Sequence, residues 1–316
     1  MIKQIITVTG PANPTDMGVI DAHSHVWIEP VPGGHPAAPM LFDEEEIISE
    51  LKDYVAAGGG SIVDCQPLNC GRDANQLHKL SVASGVKIVA CTGYHLRQYY
   101  ADDNAPLWDM TSDEARAFFV GEIRNGLIET RNATVIHPGF IKIAAEATFE
   151  ASPRHLFEAA AVVAKETGYA IEMHTERGAA IENFLTFFAE QGLSPDRLVF
   201  CHVDKRADFG LHEEMVQAGV MMEYDTFYRA RYNPEDNLWP LLSKMIDAGY
   251  ADRVALATDM AGGELWSTLG DGPGLTAFMT RIGTRLRQMG IEHGIIAGLM
   301  GGNIARRLSV DIEQKE

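Results

Sequence analysis

The chain has 316 residues, of which 46% are hydrophobic and 22% are charged, as in average soluble globular proteins. This composition excludes disordered, collagen-like and disulfide-scaffold proteins. No apolar stretch approaches the roughly 18 residues that a membrane span needs. The first residues lack the apolar core and cleavage site of a secretory signal, so a cytoplasmic location is expected. A net charge of −18 repels phosphate backbones and anionic lipids, so neither nucleic acid nor membrane is expected as a partner.

Short runs rich in Val, Ile and Ala alternate with amphipathic stretches of helical length along the whole chain. The predicted strands are 18–25, 61–66, 87–93, 139–144, 169–175, 197–203, 219–226 and 254–260. The predicted helices are 43–57, 73–84, 112–129, 153–167, 178–191, 208–218, 235–248 and 274–288, followed by a last apolar helix over 292–308.

Apolar strands alternating with helices imply a parallel sheet covered by helices, which is an α/β fold. Eight such units favour a closed (β/α)8 TIM barrel, with a doubly wound open sheet as the alternative. No GxGxxG or Walker sequence follows any predicted strand, which weakens the open-sheet nucleotide binder. We expect one domain over residues 1–316, with the segment 1–16 and the last helix packed on the barrel.

The first predicted strand ends in two histidines, His23 and His25. Side chains alternate along a strand, so both rings point inward on the same face. A single histidine at such a place is more often a hydrogen-bonded core residue. Two at this spacing, at the strand end where barrel enzymes carry their active sites, favour metal ligands.

The fourth predicted strand carries one lysine, Lys142, amid apolar residues. Burial of an ammonium is costly unless the group is paired, deprotonated or modified. The alternatives are a lysine that snorkels to solvent, a Schiff-base nucleophile, or a lysine that takes up carbon dioxide. The resulting carbamate is an anion whose two oxygens can bridge two cations.

Three further polar residues end later strands at the same height. His174 ends the fifth, His202 the sixth, and Asp259 the eighth. Each alone is compatible with ordinary packing, but the combination with the first pair and the lysine favours a metal site. Imidazole and carboxylate ligands without thiolate suit Zn²⁺, Mn²⁺, Co²⁺ or Fe²⁺.

In this order, the six residues resemble the ligand set of the binuclear amidohydrolase superfamily. Local segments narrow the resemblance to the phosphotriesterase-like family, which includes phosphotriesterases and lactonases. These segments are 5–11, 139–142, 174–176, 201–204 and 303–306. The resemblance implies a TIM barrel, two divalent metals, usually zinc, and a carboxylated lysine (N6-carboxylysine) between them.

Carried over by position, the resemblance implies that His23, His25 and Asp259 hold the more buried metal. His174 and His202 hold the more exposed metal, and carboxylated Lys142 bridges the two. Two dications lower the pKa of bound water and polarise a substrate oxygen. Asp259 is then expected to take the proton of the attacking water.

Specificity is expected in the loops that follow the strands. Arg229 and Arg231 follow the seventh strand and are predicted to read an anionic group, with a surface loop paired to nearby acids as the alternative. Tyr94 is predicted to reach a substrate carbonyl, and Trp27 and Trp266 to wall an apolar pocket; ordinary packing is the alternative for all three.

The resulting hypothesis is a metal-dependent hydrolase of a small-molecule ester, most simply a lactonase acting on a sugar-derived or other lactone. A phosphotriesterase or amidase using the same metals is the alternative. A non-catalytic barrel with a structural metal is a more remote one. Family members are often dimers, so a homodimer is expected, although no interface is marked in the sequence.

Overall fold

Parallel strands arranged in a ring form the centre of the protein. The structure is a computed structural model that describes residues 2–36 and 38–312. Neighbouring strands pair in parallel in the order in which they follow one another along the chain. The ring strands are β3 (Val19–Ser24), β4 (Gly59–Asp64), β5 (Lys87–Val89), β6 (Cys91–Gly93), β7 (Phe140–Ala144), β8 (Ile171–His174), β9 (Leu198–Cys201), β10 (Met221–Tyr224) and β11 (Val254–Leu256).

The ring closes between the last strand and the first. The backbone N–H of Asp259 donates to the carbonyl of His23 at 2.9 Å, and that of Thr258 donates to the Asp21 carboxylate at 3.0 Å. The segments β5 and β6 form one barrel strand that is interrupted at Ala90. The expected TIM barrel is therefore confirmed.

Helices cover the outside of the ring. They are α1 (Glu44–Ala56), α2 (Ala74–Ser84), α3 (Ser112–Asn125), α4 (Arg154–Thr167), α5 (Ile181–Glu190), α6 (Phe209–Ala218), α7 (Leu238–Asp247), α8 (Thr284–Gln288), α9 (His293–Ala297) and α10 (Asn303–Leu308). Side chains of Asp43, Asp73, Thr111 and Asp208 accept hydrogen bonds from first-turn N–H groups and so fix four of the helix starts. Among the described residues, none of these helices has both the length and the apolar character needed to cross a bilayer.

The last predicted helix, 292–308, is not continuous. A π-helical turn, Gly298–Gly302, separates α9 from α10, and within it Gly301 has a φ of 151°. A Cβ on Gly301 would lie only 2.8 Å from the backbone nitrogen of Ile20 on β3. The kink therefore lets the chain approach the barrel strand more closely than a regular helix with side chains would.

Short antiparallel strands lie beside the barrel, where the two ends of the described chain meet. β1 (Ile2–Thr7) pairs with β2 (Gly10–Ala12) and with β12 (Val310–Ile312). The Val8 N–H donates to the carbonyl of Ile88 in β5, at 2.8 Å, which ties this sheet to the ring.

The interior of the ring changes in character along its axis. Small apolar side chains, including Ala22, Val63, Val89 and Val199, fill its lower part. Buried polar and charged side chains replace them toward the carboxyl ends of the strands. Burial of so many polar groups marks that end as the functional one.

Candidate metal centre

Four of the predicted ligands form a ring of imidazoles at the carboxyl ends of the strands. The ring centroids of His23 and His202 are 4.8 Å apart, those of His174 and His202 are 4.6 Å apart, and those of His23 and His25 are 5.6 Å apart. Donor atoms of His23, His202 and Asp259 lie within 4.8 Å of one another, close enough to hold one ion.

A glutamine orients the ring of His25. Nδ1 of His25 lies 2.7 Å from Oε1 of Gln66. This oxygen can only accept a hydrogen bond, so Nδ1 carries the hydrogen and Nε2 of His25 is left with a lone pair. Nε2 faces the carboxylate of Asp259 at 3.8 Å. Burial lowers the pKa of His25 to about 4, so the ring is neutral near pH 7 and its free nitrogen suits a metal ion.

A buried aspartate orients His202 in the same way. Oδ2 of Asp225 lies 2.7 Å from His202 Nδ1 and 2.9 Å from its backbone nitrogen. Burial holds the pKa of His202 well below its usual value. A carboxylate on one imidazole nitrogen with the other nitrogen free is the arrangement found behind metal-bound histidines, and the donor set therefore fits a divalent ion.

Two of these predicted ligands have left-handed backbone conformations, with a φ of 63° at His202 and 48° at Asp259. This region is unfavourable for residues other than glycine and costs on the order of 1 kcal/mol or more. His202 directly follows β9, and Asp259 lies three residues after the end of β11, where the chain turns. The strain is thus concentrated where it aims side chains into the centre.

Lys142 is fully buried on β7, with its Nζ 4.0 Å from Sγ of Cys201. Burial alone would lower its pKa, but Cys201, Cys65, Glu172 and Glu223 outweigh that effect and raise it. Glycine at position 93 makes room for this strand, because a Cβ there would lie 1.8 Å from the carbonyl oxygen of Lys142.

Two buried glutamates beneath the imidazoles were not foreseen from the sequence. Oε1 of Glu223 lies 2.8 Å from Nδ1 of His23, and Oε1 of Glu172 lies 3.3 Å from the same atom. Both are fully buried, and burial raises the pKa of each. With Cys201 they form a second group of donor atoms, all within 4.8 Å of one another.

The alternation that identified the histidines also contained these residues. Glu172 precedes His174 by two positions, and Glu223 precedes Asp225 by two, so each pair shares a strand face. The same period-two reading, extended one step down each strand, would have placed both glutamates inside the barrel.

A cavity of about 780 Å³ opens above the imidazoles. His25, His174, His202 and Asp259 contribute to its floor and lining, whereas His23 and Lys142 lie buried below. The loop after β3 supplies an apolar wall that the sequence did not predict. Its lining side chains include Ile28, Pro30, Val31, Pro36, Pro39 and Met40.

Arg229 and Arg231 both reach this cavity but differ in their partners. Nη2 of Arg229 contacts the carbonyl of Asp259 and lies 2.9 Å from its Oδ2. The guanidinium of Arg231 lies 4.8 Å from the ring centroid of Tyr232, and the ammonium of Lys205 lies 5.2 Å from the same centroid. Arg229 is therefore engaged with a predicted ligand, while Arg231 and Lys205 flank an aromatic ring in the cavity wall.

The three aromatic residues predicted to contact substrate are placed differently from that expectation. Tyr94, Trp27 and Trp266 are buried, and none of them borders the cavity in the part of the chain that the structure describes. Tyr94 packs edge-on against Trp108, and Trp266 donates to the carbonyl of Met260 at 3.1 Å. Their large apolar surfaces contribute to the core, which corrects the prediction of a substrate-binding role.

The sequence matches a known protein family over nearly its whole length. The model of the Phosphotriesterase family matches residues 3–306. The chain belongs to the phosphotriesterase family. It is accordingly a metal-dependent hydrolase, as the donor groups at the strand ends indicate.

Relatives within this family carry different activity names. A phospho-furanose lactonase from Mycoplasmopsis synoviae is 26% identical, over 96% of this chain and 91% of the relative. An aryldialkylphosphatase from Saccharolobus solfataricus is also 26% identical, over 80% of each. A solved lactonase from Listeria monocytogenes has a TM-score of 0.89 at 21% identity, covering 98% of this chain and all of that one, and supports the fold.

Proposed function

We propose that this phosphotriesterase-family hydrolase is a lactonase that uses two divalent metal ions, with zinc the expected metal. The observation that carries the proposal is the set of neutral imidazoles with free nitrogens around an ionised aspartate, at the floor of an open cavity. The lactonase name of a relative that matches nearly the full chain supports the choice of a lactone among the family's substrates.

We propose that the ligands divide between the two metal ions as the resemblance implies. His23, His25 and Asp259 would hold one ion, and His174 and His202 the other, with Lys142 between them. When bound, two such ions supply a water molecule of lowered pKa and polarise the substrate carbonyl. The protein's own task is to keep the imidazoles neutral and correctly turned, which Gln66 and Asp225 do through their hydrogen bonds.

Lys142 would act as the bridge after carboxylation by carbon dioxide. The unmodified amine faces Cys201, Cys65, Glu172 and Glu223, which favour its charged form. Cations at the adjacent imidazoles act in the opposite direction, because they repel an ammonium and attract the carbamate anion. Carboxylation and metal binding are therefore expected to depend on each other.

Asp259 would accept the proton of the attacking water. Burial alone would raise its pKa, but Arg229, His202, Lys205 and His25 outweigh burial and hold the pKa well below the usual value. The carboxylate therefore stays ionised, as both a metal ligand and a hydrogen-bond acceptor must. From the cavity, the proton can leave to solvent.

The polar side of the cavity suits a substrate with an anionic substituent. Lys205 and Arg231 flank Tyr232 there, while Arg229 is held by Asp259. Free cationic groups beside a reacting centre favour binding of a phosphate or carboxylate on the substrate. A small anionic sugar lactone is the substrate class that these residues fit best.

The test is a substrate panel on the metal-loaded enzyme: phosphorylated and neutral sugar lactones, acyl homoserine lactones, an organophosphate triester and an N-acyl amide. We expect lactones to be turned over fastest, and the phosphorylated ones to have the lowest KM. Faster turnover of the triester or the amide would reject the lactonase proposal and select the corresponding alternative activity.

Replacement of the bridging lysine tests the metal arrangement separately. Lys142→Ala is expected to lose one of two bound metals and nearly all activity, and short carboxylic acids are expected to restore part of both. Lys205→Ala, which removes a lysine from the cavity wall, is the control and should keep two metals. Full metal content and unchanged turnover in Lys142→Ala would contradict the bridging role.

A further inference from the structure

A second cavity, of about 240 Å³, lies at the opposite end of the barrel from the metal centre. Arg197 and Arg253 directly precede β9 and β11, so they mark the amino ends of the strands, and α10 contributes two more arginines. Five cationic side chains line this cavity: Lys3, Arg197, Arg253, Arg306 and Arg307.

The cationic groups are incompletely neutralised by the protein. Asp196 and Asp252 are the acidic lining residues among those described, which leaves three positive charges in excess. Their carboxylates approach Arg197 and Arg253 only to 3.9 and 3.7 Å, and both side chains are more than half exposed. This local excess stands out in a chain whose net charge is −18.

Arg307 is the most informative member of the cluster because it is only 7% exposed. No carboxylate lies within 4.0 Å of its guanidinium among residues 2–36 and 38–312. Burial lowers its pKa to about 10; Asp196 opposes this effect, and Arg253, Arg197 and Arg306 add to it. Buried charges in proteins are normally paired, so this guanidinium favours an anionic partner.

Neutral hydrogen-bond acceptors account for the orientation of these arginines but do not balance their positive charge. Arg307 donates to the carbonyls of Gly219, at 3.1 Å, and Pro195, at 3.4 Å. Arg197 donates to the carbonyl of Gly168 after α4, at 2.6 Å, and Arg306 donates to Oδ1 of Asn303, at 2.6 Å. Carbonyls at a helix end carry only about half a unit of negative charge between them, which cannot balance several guanidinium groups.

We propose that this arginine cluster is an anion site that takes a phosphate group, either as the free ion or as a small monoester. A volume of 240 Å³ corresponds to about eight water molecules at roughly 30 Å³ each, which is room for a phosphate and part of its hydration. A guanidinium group can donate two parallel N–H···O hydrogen bonds to a phosphate group. Because the cluster joins the starts of β9 and β11 to α10, a bound anion stabilises the closed barrel and takes no part in the chemistry.

The experiment measures the melting temperature of the metal-loaded enzyme against increasing inorganic phosphate, with sodium chloride at equal ionic strength as reference. We expect the melting temperature to rise with the logarithm of the phosphate concentration once that concentration exceeds the dissociation constant, as for a ligand that binds only the folded state. The double substitution Arg253→Gln with Arg306→Gln should abolish the rise, and it leaves the buried Arg307 in place. Arg287→Gln, which removes an exposed charge elsewhere, should retain it.

Phosphate can also bind at the metal centre, and the variants separate the two places. A rise that survives the Arg253/Arg306 substitutions, or an equal rise with chloride, would overturn the proposal. A rise that survives Arg231→Gln but is lost in the double variant supports it. Glycerol phosphate distinguishes the two sources: a rise with inorganic phosphate alone assigns the free ion, and a rise with both assigns monoesters as well.

Discussion

Arg229 holds the carboxylate of Asp259, with Nη2 2.9 Å from Oδ2, and the same guanidinium contacts the Asp259 carbonyl. Both contacts act on a residue whose φ is 48°, so the arginine secures a proposed metal ligand that the backbone alone holds under strain. The substrate-reading role predicted for Arg229 is thus joined by a role toward Asp259.

Replacing Arg229 is expected to reduce kcat/KM for neutral and anionic lactones alike. A charge-assisted hydrogen bond contributes about 1.5–3 kcal/mol, so Arg229→Met should lower kcat/KM by about 10- to 100-fold for both. Arg231→Gln, the matched control, should raise KM only for the anionic lactone. Steady-state kinetics on one neutral and one phosphorylated lactone decide it, and a defect of Arg229→Met confined to the anionic substrate would disprove the ligand-holding role.

Glu223 is expected to set the orientation of His23. Its Oε1 lies 2.8 Å from Nδ1 of His23, as a close charge contact and not an aligned hydrogen bond, so Glu223→Gln removes the carboxyl group that faces this ring nitrogen. Loss of such a partner typically lowers metal affinity by about 10- to 100-fold. Chelator competition with zinc measures this directly. Glu235→Gln on the surface should bind zinc as the parent does, and equal affinity in the two variants would exclude an orienting role.

Gly93 is predicted to be irreplaceable for steric reasons and not only because of its positive φ. A Cβ at this position would lie 1.8 Å from the carbonyl of Lys142, whereas one at Gly85 would meet no atom within 4 Å. The φ values are 120° and 84°, so both glycines are in the left-handed half of conformational space. We expect Gly85→Ala to cost about 1 kcal/mol of unfolding free energy and Gly93→Ala several times more. Urea denaturation measures both; similar losses would refute the steric argument.

His212 should make the protein less stable in mild acid. Its ring is buried, with Nδ1 2.7 Å from the hydroxyl of Tyr224, and burial lowers its pKa from 6.5 to about 4. The unfolded chain therefore binds a proton near pH 6.5 that the folded chain refuses until about pH 4. The contribution is complete above pH 6.5 and is lost as the pH falls toward 4, by about 3 kcal/mol in total.

Melting temperatures between pH 7.5 and 4 test this prediction. His212→Gln should be less stable than the parent at pH 7.5 but should lose less stability on acidification. His293→Gln, an exposed substitution, should follow the parent curve. Parallel curves for the parent and His212→Gln would mean that His212 does not contribute to acid sensitivity.

The barrel was predictable because most strands and helices have a recognisable local pattern of apolar and polar residues. Apolar runs of strand length, alternating with amphipathic stretches of helical length, placed most elements within a few residues of their observed bounds. The break in the last predicted helix could not be predicted. It depends on the close approach of Gly301 to β3, which no local sequence pattern records. A single domain over 1–316, a homodimer and a cytoplasmic location remain predictions.

The centre was partly predictable for a similar reason. Alternation along a strand brings His23 and His25 to one face, and the order of the strands brings the other four predicted ligands near them. Cavity walls depend instead on how loops fold back. The apolar loop after β3 and the burial of Trp266 could therefore be learned only from the structure.

The division of labour between strands and loops has a consequence for how this protein can change. The candidate metal ligands lie in the barrel strands or shortly after their ends. The apolar wall of the cavity, in contrast, belongs to the connection after β3, and its cationic side belongs to the connections after β9 and β10. Grafting a foreign loop after β3 would alter which molecules enter while leaving the hydrolytic apparatus intact, whereas a graft after β10 would have to retain Arg229, which holds Asp259. Laboratory evolution toward new substrates should therefore accumulate its first successful substitutions in the connections after β3, β9 and β10.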